Sequence, residues 1–190
     1  MHSCDVFVLL DDAQFTRNSF INRNRIRGPD GSLWLTVPVR NKGCFGQQIK
    51  DVKIDNSQPW AWKHWGSIKQ NYQKASGFPT HAVALEAMLC GTRWDKLIDL
   101  NIRAIHYIAK HLGIYPQMRV ASDLSLTSQG TQRLIDICKK VGADTYLSGS
   151  GGRNYQDEQL FKESGIKLTF QEGSFSNLSA IDNLLNGVPM

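Results

Sequence analysis

The spacing of apolar residues changes along the chain, and each change predicts a different element. The opening run DVFVLLD is short, continuous and closed by carboxylates, the pattern of a buried strand. PDGSLWLTVPV predicts a turn at Pro29-Asp30-Gly31, then a strand from Leu33 to Val39 with Trp34, Thr36 and Pro38 on one side. IKDVKID alternates imperfectly through Ile49, Val52 and Ile54 and is expected to pair with that strand, across a loop marked by Gly43 and Gly46. The middle then turns helical. In DNSQPWAWKHWGSIKQNYQK, Asn56 or Ser57 is placed as N-cap, with Pro59 in the first turn. Thr80 is placed to cap HAVALEAMLC. Thr92 and Asp95 have capping-box spacing, with Asp for the usual Glu. Leu97, Leu100, Ala104, Ile108 and Leu112 follow at helical spacing, and Gly113 stops the run.

In the last third, QMRVAS, DTYLSG and IKLTFQ read as strands. GTQRLIDICKKVG between them reads as a helix stopped by Gly142. NYQDEQLFKESG reads as a helix capped by Asn154, with Asp157 at N3 and Gly165 as stop. This β-α-β-α-β order with short loops implies right-handed crossovers and a parallel sheet. The expected fold class is α/β: a single domain over residues 1–190 with that parallel C-terminal core, a small antiparallel addition and a helical middle.

Composition narrows the partners. Hydrophobic residues make up 41% and charged residues 21%, ordinary for a soluble globular protein. No apolar run approaches the ~20 residues that span a membrane, and the N-terminus lacks the basic region and cleavage site of a secretory signal. A net charge of +5 favours an anionic small molecule, such as a nucleotide or phosphorylated metabolite. A basic but inert surface is the alternative. Nucleic acid is the weaker partner, because the basic residues cluster once and alternate with asparagine rather than with stacking aromatics. Cys4, Cys44, Cys90 and Cys138 show no CxxC spacing, and the histidines form no HxxH or HExxH pattern. Neither a zinc site nor a disulfide framework is expected from these, no metal-ligating residue set is assigned, and the chain reads as cytoplasmic with reduced thiols. Nothing in the sequence specifies a cofactor.

Candidate chemistry gathers in a few stretches. After the first strand come Asp11, Asp12 and Gln14, then Arg17, Arg23, Arg25 and Arg27 with Asn18, Asn22 and Asn24. Asp11 or Asp12 is a candidate general base, acceptor for a sugar or ribose hydroxyl, or magnesium ligand through water. Arg23 and Arg25 suit an anionic substrate, and the amides of Asn22 and Asn24 suit hydroxyls. A polar turn that happens to be charged is the competing reading. YLSGSGGRNY sits at a strand end ahead of a helix, where open α/β sheets hold ligands. Gly149, Gly151 and Gly152 let backbone amides turn inward, Ser148 and Ser150 add hydroxyls, and the following helix adds partial positive charge. A flexible turn would also favour glycine. In SLTSQGTQRLI, Thr127 or Ser128 is placed as a cap, and Thr131 and Arg133 lie near the first turn, where Arg133 can fork onto an anion. Trp62 and Trp65 are three apart and are expected to share a core face, with Trp60, Lys63 and His64 beside them. His64 is the reserve acid/base, or else only a packing residue. Because strand ends gather loops along one sheet edge, the opening carboxylates, the arginines and the glycine loop are expected to face one cleft.

The stretches SDVFVLLDDAQFTRNSFINRNRIRGPDGSLWLTVPV, QQIKDVKIDN, WKHWGSIKQNYQKA, TQRLIDICKKVGADTYLSGSGGRNYQD and LSAIDNLLNG together resemble the WbqC-like family. The resemblance implies a place in bacterial O-antigen (lipopolysaccharide), other surface-polysaccharide or secondary-metabolite gene clusters. It also implies a transferase-like enzyme acting on a nucleotide-linked amino sugar or related anionic metabolite, by acyl or aminoacyl transfer. A non-catalytic partner subunit of the same pathway and a nucleotidylyltransferase-like enzyme are the alternatives. Similar proteins carry a His-Gln-Pro segment ahead of the part matching SDVFVLLDD, where this chain has only Met1 and His2. The chain is therefore read as truncated at its N-terminus relative to the family. If the lost histidine is catalytic, it binds without turnover.

Overall fold

The computed structural model describes residues 1–40, 42–173 and 176–187. In chain order the elements are β1 (Val6–Leu9), β2 (Arg23–Gly28), β3 (Gly31–Thr36), α1 (Trp60–Tyr72), α2 (Phe78–Cys90), α3 (Leu97–His111), β4 (Gln117–Val120), α4 (Gly130–Val141), β5 (Thr145–Ser148), α5 (Glu158–Glu163), β6 (Lys167–Phe170) and α6 (Ile181–Asn186). Short 3-10 helices lie at Ile49–Asp51, Ala121–Leu124 and Ser150–Asn154. The fold class is α/β. The chain folds as two compact units. The first joins Met1–Asp12 to the segment beginning at Tyr115, and the second joins Ala13–Ile114 to the segment beginning at Ser176.

The first unit is the parallel one. β1 pairs with β4 and β5 with β6, both parallel; α5 connects β5 to β6, and α4 lies between β4 and β5 in the chain. YLSG and KLTF are thus parallel neighbours, as their order implies. Among the described residues β4 and β5 share no ladder, so the C-terminal core is not the one continuous sheet expected. Each strand is only four residues long, which limits how far a ladder can propagate. β1 is half-buried throughout rather than fully buried. Ile135, Cys138, Phe161 and Ile166 form the core, with Tyr146 stacked on Phe161. Gly142 ends α4 in a left-handed conformation (φ 72°) as its position predicts.

The second unit holds the antiparallel hairpin and the helical middle. β2 pairs with β3 through a two-residue turn at Pro29-Asp30, so the arginine-asparagine stretch is itself a strand. IKDVKID does not form a regular ladder with Leu33–Val39. It bridges Val39 through Ile54, and Lys53 bridges Lys96 on the other side. Ile54 N–H donates to the Asp95 carbonyl and Leu97 N–H to that of Val52. This pairing draws Asp95 and Lys96 into extended backbone, so α3 starts at Leu97 and the expected Thr92–Asp95 capping box does not form. α2 starts at Phe78, two residues before Thr80, because Pro79 suits a first-turn position and its ring is tolerated there. Asn56 does not cap α1 either. Its amide accepts from Trp60 Nε1 (3.0 Å) and donates to the Trp94 carbonyl (2.8 Å). Ser57 instead donates its N–H to Asp55.

Two apolar clusters hold this unit. Ile26, Trp65, Ile68, Tyr72, Leu85, Ile181 and Leu185 form one, and Val39, Val52, Ile54, Trp60, Leu97 and Leu100 the other. Trp62 and Trp65 do not share a core face: Trp65 is buried and Trp62 is 58% exposed. Trp60 supplies the second buried indole instead. Beside the first cluster Asp182 accepts from Arg27 Nε (3.1 Å), Arg27 Nη2 (2.9 Å) and the Tyr72 hydroxyl (2.8 Å). That cluster ties α6 to β2 and α1.

Candidate functional site

In the first unit, the loops that follow β1, β4 and β5 carry the candidate residues. Asp11 is buried, and its two oxygens accept from Ser122 N–H (2.9 Å) and Ser122 Oγ (2.6 Å). It clamps the end of β1 to the 3-10 turn after β4. Asp12 forms a largely buried ion pair with Arg133, whose other terminal nitrogen donates to the carbonyls of Leu126 (2.9 Å) and Ser128 (3.3 Å). One Asp12 oxygen, Oδ1, is buried without a partner.

Neither Thr127 nor Ser128 caps α4. Gln129 occupies the N-cap and makes no side-chain bond there, and Arg133 holds the carbonyls of Leu126 and Ser128 just ahead of it. Thr131 Oγ1 accepts from Asp157 N–H (3.1 Å). The first turn of α4 therefore holds the loop after β1 through Arg133, and the loop beyond β5 through Thr131.

The glycine loop divides into two parts. Ser148 is buried at the end of β5, donating to the Gly149 carbonyl (3.0 Å) and accepting from Gln156 Nε2 (2.9 Å). Gly152 is buried against that pair, and a Cβ there would lie 2.1 Å from Ser148 Oγ and 2.8 Å from Gln156 Nε2. Its glycine serves packing. Gly149 and Gly151 differ: neither has a positive φ, neither would bring a Cβ within 4 Å of anything, and both are exposed with Ser150 between them. The helix dipole expected behind the loop is not supplied. Ser150–Asn154 is a 3-10 turn, and Asp157 rather than Asn154 caps α5, accepting from Leu160 N–H (3.0 Å). A cation stands there instead: Arg153, stacked 4.3 Å from the Phe170 ring centre. Arg153 and Gln156, whose Oε1 is buried and unpartnered, are functional candidates not recognised from the sequence. The nearest signal was their place directly after the glycine run.

The second unit holds the remaining candidates. Gln14 is exposed and bridges Gln48 by backbone. Asn22 is buried; its Oδ1 accepts from Asn18 N–H (3.0 Å) and its Nδ2 donates to the Val37 carbonyl (3.1 Å). Its amide is occupied in shaping the turn. Asn24 is exposed and accepts from Arg25 N–H (2.8 Å). Arg23 and Arg25 place their guanidinium carbons 4.1 and 4.6 Å from the centre of the Trp34 ring. Stacking aromatics therefore do accompany the arginines, supplied by the paired strand rather than by neighbours in sequence. Alternation in RNRIRG about a single apolar Ile26, followed by a two-residue turn, was the available signal. His64 meets the Thr36 carbonyl through Nε2 (3.1 Å) and packs edge-on to Trp60. Burial pushes its pKa down, against a smaller upward pull from that carbonyl.

Cys4, Cys44, Cys90 and Cys138 are free thiols. Among the described residues no group of three or more His, Cys, Asp or Glu side chains is placed to hold a metal ion. No helix among them is long and apolar enough to cross a membrane.

The WbqC-like protein family model matches residues 1–188, and the chain belongs to that family. A similar protein is "Uncharacterized protein Rv1507c" of Mycobacterium tuberculosis (strain ATCC 25618 / H37Rv). It is 36% identical over 166 residues, covering 87% of this chain and 71% of the relative. No solved structure matches.

Proposed function

We propose that this protein is a transferase-like enzyme of bacterial surface-glycan biosynthesis. On this reading it acts on a nucleotide-linked amino sugar or related anionic metabolite, by acyl or aminoacyl transfer. The observation that carries the reading is the exposed Gly149-Ser150-Gly151 segment after β5. Neither backbone angle nor crowding requires glycine there, so the fold leaves open backbone at a strand's carboxyl end. Glycine in that position suits the close approach of an anionic group, and Arg153 adds a positive charge pinned by Phe170. In the transfer step the sugar amine attacks the activated acyl carbon. The new C–N bond forms as the bond to the carrier breaks, the carrier leaves with the electron pair, and the amine's proton passes to the departing carrier.

The test incubates the full chain with nucleotide-linked amino sugars and acyl or aminoacyl donors, and follows product mass. The expected result is a mass gain equal to the acyl group, lost in a G149V/G151V variant that melts like wild type. A second reading, a binding or partner subunit of the same pathway, is favoured by one observation. Asp11 is bound by Ser122, Asp12 by Arg133, and His64 Nε2 by a carbonyl, so each candidate acid or base is already engaged. Sugar-nucleotide binding that depends on Gly149 and Gly151, with no new product, would establish that second reading over the first.

A further inference from the structure

The β2–β3 hairpin holds two cations together with no counter-charge among the described residues. Arg23 and Arg25 alternate onto the face that holds Trp34 and Thr36, their cross-strand partners. Both guanidiniums lie against the Trp34 ring, and the Nε edge of each is buried without a hydrogen-bond partner. Among the described residues no carboxylate pairs with either. The Phe20 ring lies 5.6 Å from that of Trp34, inclined at 44°. Phe20 is 67% exposed and Trp34 37%. Arg27, two positions further along β2, is by contrast neutralised by Asp182.

Two like charges held together without a counter-charge repel each other, and an exposed phenylalanine contributes little to the core. The Trp34 ring offsets part of that repulsion, but among the described residues the charges stay without a counter-charge and the Nε edges without a hydrogen-bond partner. Stacking on Trp34 restrains the guanidiniums, so less side-chain freedom is lost when their outer N–H groups engage an oxyanion. Forked donors match phosphate oxygens, and an exposed ring offers a plane to a heterocyclic base.

We propose that this face binds the nucleotide portion of a nucleoside-diphosphate-bearing ligand, with phosphates on Arg23 and Arg25 and the base against Phe20. The inference rests on the functional reading above only for the class of ligand, a nucleotide-linked metabolite, and is argued from the hairpin's own residues. The charge does not continue along the strand, because Arg27 is already paired, and this favours a small polyanion over a nucleic-acid strand.

The test is calorimetric, on the full chain, with UDP, inorganic pyrophosphate and a dT8 oligonucleotide as probes. Phe20→Ala should weaken UDP roughly five- to a hundredfold, the range for losing one base–aromatic stack, and leave pyrophosphate binding unchanged. R23Q/R25Q should weaken both. Equal thermal melting of all variants is the folding control, and Phe20→Leu, which keeps bulk without a ring, should resemble Phe20→Ala. Tighter binding of dT8 than of UDP would overturn the inference in favour of a nucleic-acid surface. UDP affinity that survives both hairpin variants but falls in G149V/G151V would also overturn it, placing the nucleotide at the glycine loop and leaving the functional reading intact.

Discussion

The two units use the same residue types in opposite ways. In the first, charged and polar candidates are bound to one another: Asp11 to Ser122, Asp12 to Arg133, Thr131 to the Asp157 backbone. What that unit leaves open is backbone, at Gly149 and Gly151, with the Arg153 cation stacked on Phe170 beside it. In the second, two arginines on one strand stay unpaired beside exposed aromatics, while a third on the same strand is spent on Asp182. Residue type alone therefore does not assign a role. Arg27 and Arg25 differ in whether an acidic side chain from α6 reaches them, and Gly152 and Gly151 differ in whether Ser148 and Gln156 crowd them.

The largest effect that tests this contrast is at the Asp12–Arg133 pair. Arg133→Met would strand a buried carboxylate with both oxygens unpaired, costing about 3–5 kcal/mol, as measured by chemical denaturation. A D12N/R133M double variant should recover part of that loss. A cost near zero for R133M would mean the pair is solvated and Arg133 is free to serve a ligand.

Next comes Asp182→Ala, which leaves the core hydroxyl of Tyr72 and the Arg27 fork without their acceptor. Because the Arg27 side chain is 57% exposed, water compensates in part, and about 2–3 kcal/mol is expected. Stability unchanged in D182A would remove the distinction between Arg27 and its two neighbours.

The glycines should separate more finely. Gly152→Ala forces a methyl onto Ser148 and Gln156 and should cost about 1–3 kcal/mol. Gly149→Ala, at φ −65° and ψ 157°, should be neutral or stabilise by up to about 1 kcal/mol. Similar losses at both positions would show that the whole loop is a packing element.

The smallest effect near neutrality is one of pH. Burial pushes the Tyr72 phenol up to about 12, opposed by the Arg27 N–H it accepts. The folded state thus favours the neutral phenol. That contribution is fully present below the ordinary phenol value of about 10 and is lost as pH rises from there through about 12. Alkaline titration of the unfolding midpoint should show the loss, and Tyr72→Phe should flatten it. His64, pushed down, runs the other way: its share is present above about 6.5 and fades as pH falls.

The sequence by itself determined the α/β class, the parallel pairing of DTYLSG with IKLTFQ, and the helix stop at Gly142, because these depend on local periodicity and on glycine's tolerance of positive φ. It also marked most of the residues that gather around the first turn of α4. Helix starts were less legible. Thr80, Thr92, Asn56 and Asn154 all have capping chemistry, yet Pro79, the pairing of residues 52–54 with 95–97, the Trp60–Asn56–Trp94 bonds and the 3-10 turn at Ser150–Asn154 decided the outcomes. Only the tertiary structure decided which charges are spent and which are available. The pairs responsible, Arg27 with Asp182 and Asp12 with Arg133, are 155 and 121 positions apart in the chain. The indole that holds Arg23 and Arg25 arrives by strand pairing. Such partners have no local period or spacing that a sequence displays, since they are chosen by packing between distant segments.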